Sequence, residues 1–354
     1  MAFLKKFFPF LLFALVLSAI QVIATCTETE YYLTQLTMAA WYSLPVLGLC
    51  LVMGYAGQIS LGHAAFFAVG GYAAGVVTTT SLIPVQTNSL VSLLGKAGLL
   101  VSRTNLYGLP LLHLTPWIGL LFAIGTSLLL SILIGVPALK LKGHYLAMAT
   151  MGFGIIIYRI LLGTSFFGAA DGLSDIPAFR ILPVLSVSSD FSARVTNYYL
   201  AFACVLILLI LFSNLLHSRM GRALKAIHNN EEAASASGIN TARDKLIVFV
   251  ISALCATLGG FFLTHYTGSI GPSEASIMKS VRYVAIVAAG GMASLWGTLI
   301  LGLILNFLSL RGVFGSYDDA VFGAILVMIM LFAPEGLFNI GKLKSLFRKT
   351  HGPA

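Results

Sequence analysis

The chain has 354 residues, 58% of them hydrophobic and only 9% charged, with a formal net charge of +9. A soluble domain carries about 25% charged residues, and uncharged runs near 20 residues long do not alternate as the strands of an outer-membrane barrel do. Both classes are excluded, and with no acidic or basic tail of the nucleic-acid type the positive charge reads as membrane orientation and not as nucleic-acid binding. The sequence predicts an all-α, polytopic helical membrane protein forming one transmembrane domain over 1–354.

The N-terminus opens with Lys5 and Lys6 and an apolar run of about 18 residues, longer than the usual 7–15 of a cleavable signal. It is read as a retained first span. Apolar windows give about ten spans, at 7–25, 33–53, 61–80, 116–139, 144–163, 197–216, 246–266, 279–295, 298–312 and 319–336. The eighth and ninth are short and Gly-rich, so a broken or re-entrant element is expected between 279 and 312. Cys26, Cys50, Cys204 and Cys255 are scattered, three within apolar runs, and form no disulfide or zinc framework.

An even count puts both termini on one side. If that side is cytoplasmic, Lys5, Lys6, Lys140, Lys142, Arg219, Arg222, Lys225, Arg243, Lys245, Lys342, Lys344, Arg348 and Lys349 all lie inside, thirteen of twenty-one Lys and Arg. That agrees with the positive-inside bias. Glu28 and Glu30 then fall outside. Two outer segments are long, 81–115 and 164–196, and the first contains "SLVSLLGKAGLLVS", an expected interfacial helix.

Between the second and third spans, "GYAGQISLGHAAFFAVGGYAAG" (54–75) has six glycines in 22 positions and no charge. Gly71 and Gly75 are a small-x-x-x-small pair for close helix packing. Gly54, Gly57 and Gly62 predict an unwound turn, tolerated at membrane depth only against protein or a water-filled path. Gln58, Ser60 and His63 bring hydrogen-bonding groups there without a fixed charge, as a translocation path for a polar solute would need. Helix packing and capping explain the same residues equally well one at a time. Further along, Gly290 and Gly291 are also read as packing residues.

All twelve acidic residues fall in loops or at span ends, which weighs against a proton relay. A sodium-coupled carrier working through broken helices stays open; a passive channel has no filter signature. ATP is another energy source, but no G-x-x-x-x-G-K-[ST] phosphate loop is present, because Gly95-Lys96 and Gly341-Lys342 are followed by Ala and Leu. If ATP drives the protein, another subunit binds it and needs a cytoplasmic docking surface. The loop 218–245 offers one: Gly221 permits a turn, Leu224, Ile227 and Ala233–Ala236 give an apolar face, and Gly238 ends a helix. A solvated connector is the plainer reading.

"EAASASG" (232–238) resembles the E-A-A-x-x-x-G loop by which ABC-importer permeases dock on their ATPases. With "GYAGQISLGHAAFFAVGGYAAG", "LKGHYLAMATMGFGIII" (141–157), "AAGGMASLWGTLILG" (288–302) and "LFAPEGLF" (331–338), in that order, the chain resembles the branched-chain amino-acid ABC permease family, in its larger subunit type, over about 30–340. "GAADGL" (168–173) is similar to the family's outer T-G-G-x-N-G-L element, with Ala169 and Asp171 as departures, and His144 stands where an acidic residue is expected.

The resemblance implies a permease of the bacterial inner membrane, with both termini cytoplasmic, that is not itself an enzyme. It would be paired with a homologous permease, two ABC ATPases that use ATP and magnesium, and an external substrate-binding protein. No cofactor would bind this chain. Gly221, Arg222, Glu231, Glu232, Ala233, Ala234 and Gly238 would form the ATPase-coupling loop. The cargo would be branched-chain or related amino acids, with urea or short amides as the alternative.

Overall fold

A computed structural model describes residues 2–81, 100–104, 110–141, 143–182, 185–313 and 315–332. Ten helices stand at the ten predicted spans: α1 (Ala2–Cys26), α2 (Tyr31–Cys50), α3 (His63–Thr79), α4 (Pro116–Ala138), α5 (His144–Gly163), α6 (Arg194–His217), α9 (Thr241–Thr267), α10 (Ile277–Gly290), α11 (Leu295–Leu310) and α12 (Asp318–Phe332). Two short helices, α7 (Arg219–Asn229) and α8 (Glu231–Ala236), fill the loop after α6. Among the described residues, six helices are long and apolar enough to cross a membrane. At about 1.5 Å per residue, α10 and α11, with 14 and 16 residues, fall short of a bilayer core.

Small antiparallel hairpins supplement the helices. β1 (Leu100–Thr104) pairs with β2 (Pro110–Leu114), and β3 (Phe179–Arg180) with β4 (Ser186–Val187). The last residues of the expected interfacial helix, Leu100 to Ser102, are therefore strand; the rest of that stretch, most of "LFAPEGLF" and the basic C-terminus lie outside the described residues. Both hairpins sit at one end of the bundle, where Trp117 at the start of α4 packs edge-on to Phe179. The loops after α4 and α6 share the opposite end, since α4 and α9 meet near Gly135 and Phe249.

Burial separates central from peripheral helices. In α2, 83% of the apolar span is buried, against 11% in α1, so α2 is the axis of the bundle and α1 lies on its rim. Lipid tails are as apolar as leucine, so helix association rests on close packing and not on burial from water. The α3–α9 crossing is correspondingly tight: a Cβ on Gly70 would overlap the Thr257 backbone, and one on Gly260 the Phe67 carbonyl. Ser127 and Thr257 hydroxyls, 2.6 Å apart, tie α4 to the same crossing.

The break among the late helices falls at 291–294, not near 295–298 as the span windows placed it. A Gly at 291 with φ +95° ends α10, and Ser294 caps α11 by accepting from the Gly297 N–H at 3.1 Å. A second departure lies between α9 and α10. Residues 268–276 turn back into the bundle, where Ile270 and Ala275 are buried with Ala68, Tyr72 and Leu161. Glu274, expected in a plain loop, is thereby folded against α2, accepting from the Tyr42 hydroxyl at 3.0 Å.

Candidate functional site

The turn between α2 and α3 begins with a π-helical stretch, Leu51–Tyr55, which offsets the ladder by one residue. Gly57 follows at φ +67°, a backbone that glycine adopts without steric cost, and the chain then re-enters helix at His63. Gln58, Ser60 and His63 are 3%, 1% and 0% exposed. The structure brings Ser60 and His63 together, with Ser60 Oγ and His63 Nδ1 3.2 Å apart, and closes the pair with Ser252 of α9, whose Oγ lies 2.6 Å from His63 Nε2. Gln58 is not part of that chain of bonds, and its amide atoms have no partner among the described residues.

Three hydroxyls that sequence reasoning missed pin this turn from three helices. The Leu61 N–H donates to Thr150 Oγ1 of α5 at 3.0 Å, the Ala64 N–H to Ser280 Oγ of α10 at 3.3 Å, and Ser252 holds His63. Thr150 and Ser252 are isolated small polar residues in apolar runs, a pattern common enough in membrane helices, and Ser280 is a plain serine between Lys279 and Arg282, so nothing in the sequence marks these three. In this conformation the polar side chains of the turn are buried, while Gly57 and Ile59 beside them are exposed.

The two glycine-rich motifs meet. A Cβ on Gly54 would overlap the Met292 carbonyl oxygen, and the Cys50 thiol donates to that oxygen at 3.3 Å. The Tyr55 hydroxyl donates to the Ala293 carbonyl at 2.5 Å. Gly290 sits 2.5 Å from Thr298 Cα when given a Cβ, so α10 and α11 leave their turn in backbone contact. Gly71 is placed where a Cβ would overlap Thr264 Oγ1 of α9, and Gly75 where one would meet Leu173 and Ile176 at 3.0 and 3.1 Å.

The 218–245 loop is a helical pair on the same end of the bundle as the 56–62 turn. Gly221 lies inside α7, not in a turn; a Cβ there would collide with the Leu216 backbone, and the reversal is made at Ser218. Leu224 and Ile227 are buried under α7, while Arg222 and Lys225 are exposed. Asn230 caps α8 by accepting from the Ala233 N–H at 3.0 Å. Ala234 is buried, Ala233 and Glu232 are exposed, and Gly238 ends the pair at φ +84° with open space around it. Glu231 pairs with the nearly buried Lys245 at 2.5 Å, fixing α8 to the start of α9. The His228 ring lies 2.9 Å from the Cβ position of Gly57, so the helical pair touches the turn directly.

At the hairpin end, "GAADGL" has left-handed backbone at three positions: Gly168 at φ +77°, Ala169 at +46° and Gly172 at +74°. Leu173 exchanges backbone hydrogen bonds with Ile270, both 2.9 Å, which staples the 164–176 segment to 268–276. The departure Ala169 thus occupies a backbone conformation suited to glycine.

The profile described as branched-chain amino acid transport system / permease component matches residues 31–332. The high-affinity branched-chain amino acid permease protein LivM of Salmonella typhimurium is 30% identical over 334 residues, covering 87% of this chain and 71% of its own. LivM of Escherichia coli is 30% identical, covering 85% and 68%, and LivH of Salmonella typhimurium is 26% identical, covering 87% and 96%. No solved structure matches the chain. A profile spanning most of the chain, over a fold with the expected helices and motifs, fixes the family: this chain is a multi-pass membrane protein belonging to the permease components of branched-chain amino acid transport systems, of the LivM type.

Proposed function

We propose that this chain is the larger permease subunit of an ABC importer for branched-chain amino acids. Its partners are a homologous permease, two ATPases that hydrolyse ATP with magnesium, and an external binding protein. The observation that carries this reading is the α7–α8 pair. Its apolar side is seated on the bundle, its Glu232, Ala233 and Gly238 side is exposed, and His228 touches the Gly57 turn. A partner ATPase docking there would have a direct mechanical route to the 56–62 turn. Gln58, Ser60 and His63 border the inner end of the translocation path, closed in this conformation. Names of relatives that transport branched-chain amino acids support the cargo.

Reconstitution tests the reading. Leucine uptake into proteoliposomes should require the paired permease, both ATPases, ATP and the binding protein. Uptake by the lone chain on a sodium gradient would replace it with a secondary carrier, and ATP-dependent uptake of urea but not leucine would change the cargo. We further place both termini in the cytoplasm, because Lys140 and the basic 218–245 loop share one end of the bundle. Reporter fusions after Lys344 and within 81–115 should report opposite sides, and the same side for both would mean a different number of crossings from ten.

A further inference from the structure

Residues 268–276 carry charge into the bundle. Ile270 near the start of this stretch is bonded to Leu173 beside the C-terminal half of α3, Pro272–Ala275 make one short 3-10 turn, and Ser280, just after it, receives the Ala64 N–H in the first turn of α3. Irregular backbone at such depth survives only when protein or water satisfies it, and broken helices of this kind are where transporters bind substrate. On this break, Glu274 pairs with Lys279 at 2.5 Å, and the Tyr42 hydroxyl bridges them, donating to Glu274 Oε1 at 3.0 Å and accepting from Lys279 Nζ at 3.3 Å.

The cluster holds more hydrogen-bonding capacity than it uses. Glu274 Oε2 and the hydroxyls of Tyr72 and Tyr283 have no partner among the described residues, although both tyrosines are 1% exposed. Tyr72 is buried in one cluster with Ala275, the neighbour of Glu274, and Tyr283 lies one helical turn after Lys279 on α10. An unpaired buried hydroxyl costs about 1–3 kcal/mol, so two around one carboxylate point to a missing ligand. The side chains of Lys279 and Glu274 also keep 23% and 15% of their surface exposed. Charges are costly against hydrocarbon and face a bundle interior or a water-filled cavity, so this face borders the path or the partner permease.

We propose that Glu274, Lys279, Tyr72 and Tyr283 form a transient subsite for the head group of a zwitterionic α-amino acid. Glu274 Oε2 accepts from the ammonium, while the remaining Lys279 N–H and the tyrosine hydroxyls donate to the carboxylate. An ion pair is neutral overall, and so is a zwitterion, so the exchange of partners leaves no net charge in the membrane. A lone cation or anion lacks the second half of this match. The proposal rests on the amino-acid importer reading above and adds to it where the cargo is held within this chain.

The test uses the complete importer in proteoliposomes, with its binding protein, ATP and labelled L-leucine. Tyr72→Phe/Tyr283→Phe removes two hydroxyls that hold nothing in the empty protein, so the melting temperature should stay level or rise. Leucine uptake should nevertheless fall at least about tenfold, and Glu274→Gln should lower it as far. Uptake at wild-type rates in the double tyrosine variant would overturn the subsite. So would a fall accompanied by a lowered melting temperature in that variant, which marks a structural role. Failure of the wild-type importer to take up leucine would overturn the cargo reading and the subsite with it, whereas failure of the variants' expected loss leaves the importer reading intact.

Discussion

Gly54 packs on the Met292 carbonyl with no room for a Cβ between them. The π-helical end of α2 and the break between α10 and α11 are thereby held in backbone contact, although 238 positions separate them in sequence. Gly54→Ala should lower the stability of the solubilised protein by about 1–3 kcal/mol, the usual cost of overpacking. Gly152 has nothing within 4 Å of its Cβ position and is mid-helix in α5, so Gly152→Ala should instead stabilise by roughly 0.5–1 kcal/mol. Thermal melts of the two variants should move in opposite directions; equal shifts would refute the contact.

Ala169 holds φ +46°, directly after Gly168 at +77°. A left-handed conformation costs an L residue about 1–2 kcal/mol. Ala169→Gly should therefore raise the melting temperature, despite the greater freedom glycine gives the unfolded chain. A lowered melting temperature would mean that the 168–172 turn is unstrained.

Ser252 is the hydroxyl that satisfies His63 Nε2, at 2.6 Å within a fully buried environment. Ser252→Ala leaves that ring nitrogen unpaired, at about 1–3 kcal/mol. Combining it with His63→Ala should cost less than the sum of the two single changes, because the second removes the orphan left by the first. Strict additivity in a double-mutant cycle would show that the two side chains do not depend on each other.

Ser60 is 1% exposed, so a cysteine there, with Cys26, Cys50, Cys204 and Cys255 replaced, should resist a small water-soluble thiol reagent in this conformation. During ATP turnover by the full importer it should become reactive if the 56–62 turn opens onto the path. Protection in every nucleotide state, together with normal transport by Ser60→Trp, would confine the turn to packing.

Gly238 stands at φ +84° with nothing within 4 Å. Gly238→Leu should leave insertion and assembly intact, since its side chain meets no neighbour within this chain. It should strain the α8 terminus by about 1–2 kcal/mol and cut substrate-stimulated ATP hydrolysis several-fold. Gly238→Asn, which tolerates the left-handed region better, should retain more coupling. Unchanged coupling in a correctly assembled Gly238→Leu complex would remove α7–α8 from the ATPase interface.

What the sequence by itself determined is whatever depends on local composition. Apolar runs located ten helices within a few residues, because charge is costly against hydrocarbon and helices at membrane depth are built from uncharged stretches, short ones included. Gly57 marked the loosened turn and Gly238 a helix end, because a positive φ favours glycine wherever the rest of the chain lies. The order of motifs was enough to suggest the family. Tertiary structure alone decided which of these features meet. Gly54 reads as one more flexible glycine until Met292 is set against it, and Gly221 reads as a turn until Leu216 fills the space beside it. Ser252, Thr150 and Ser280 are ordinary small residues until three helices aim them at one turn. Glu274 is the sharpest case. Secondary structure leaves it in a loop, but the loop doubles back between α2 and α3 and its charge ends among tyrosines from three helices. Hydropathy windows sum over neighbours in sequence and register no such return, whereas the free energy of a charge depends on its neighbours in space.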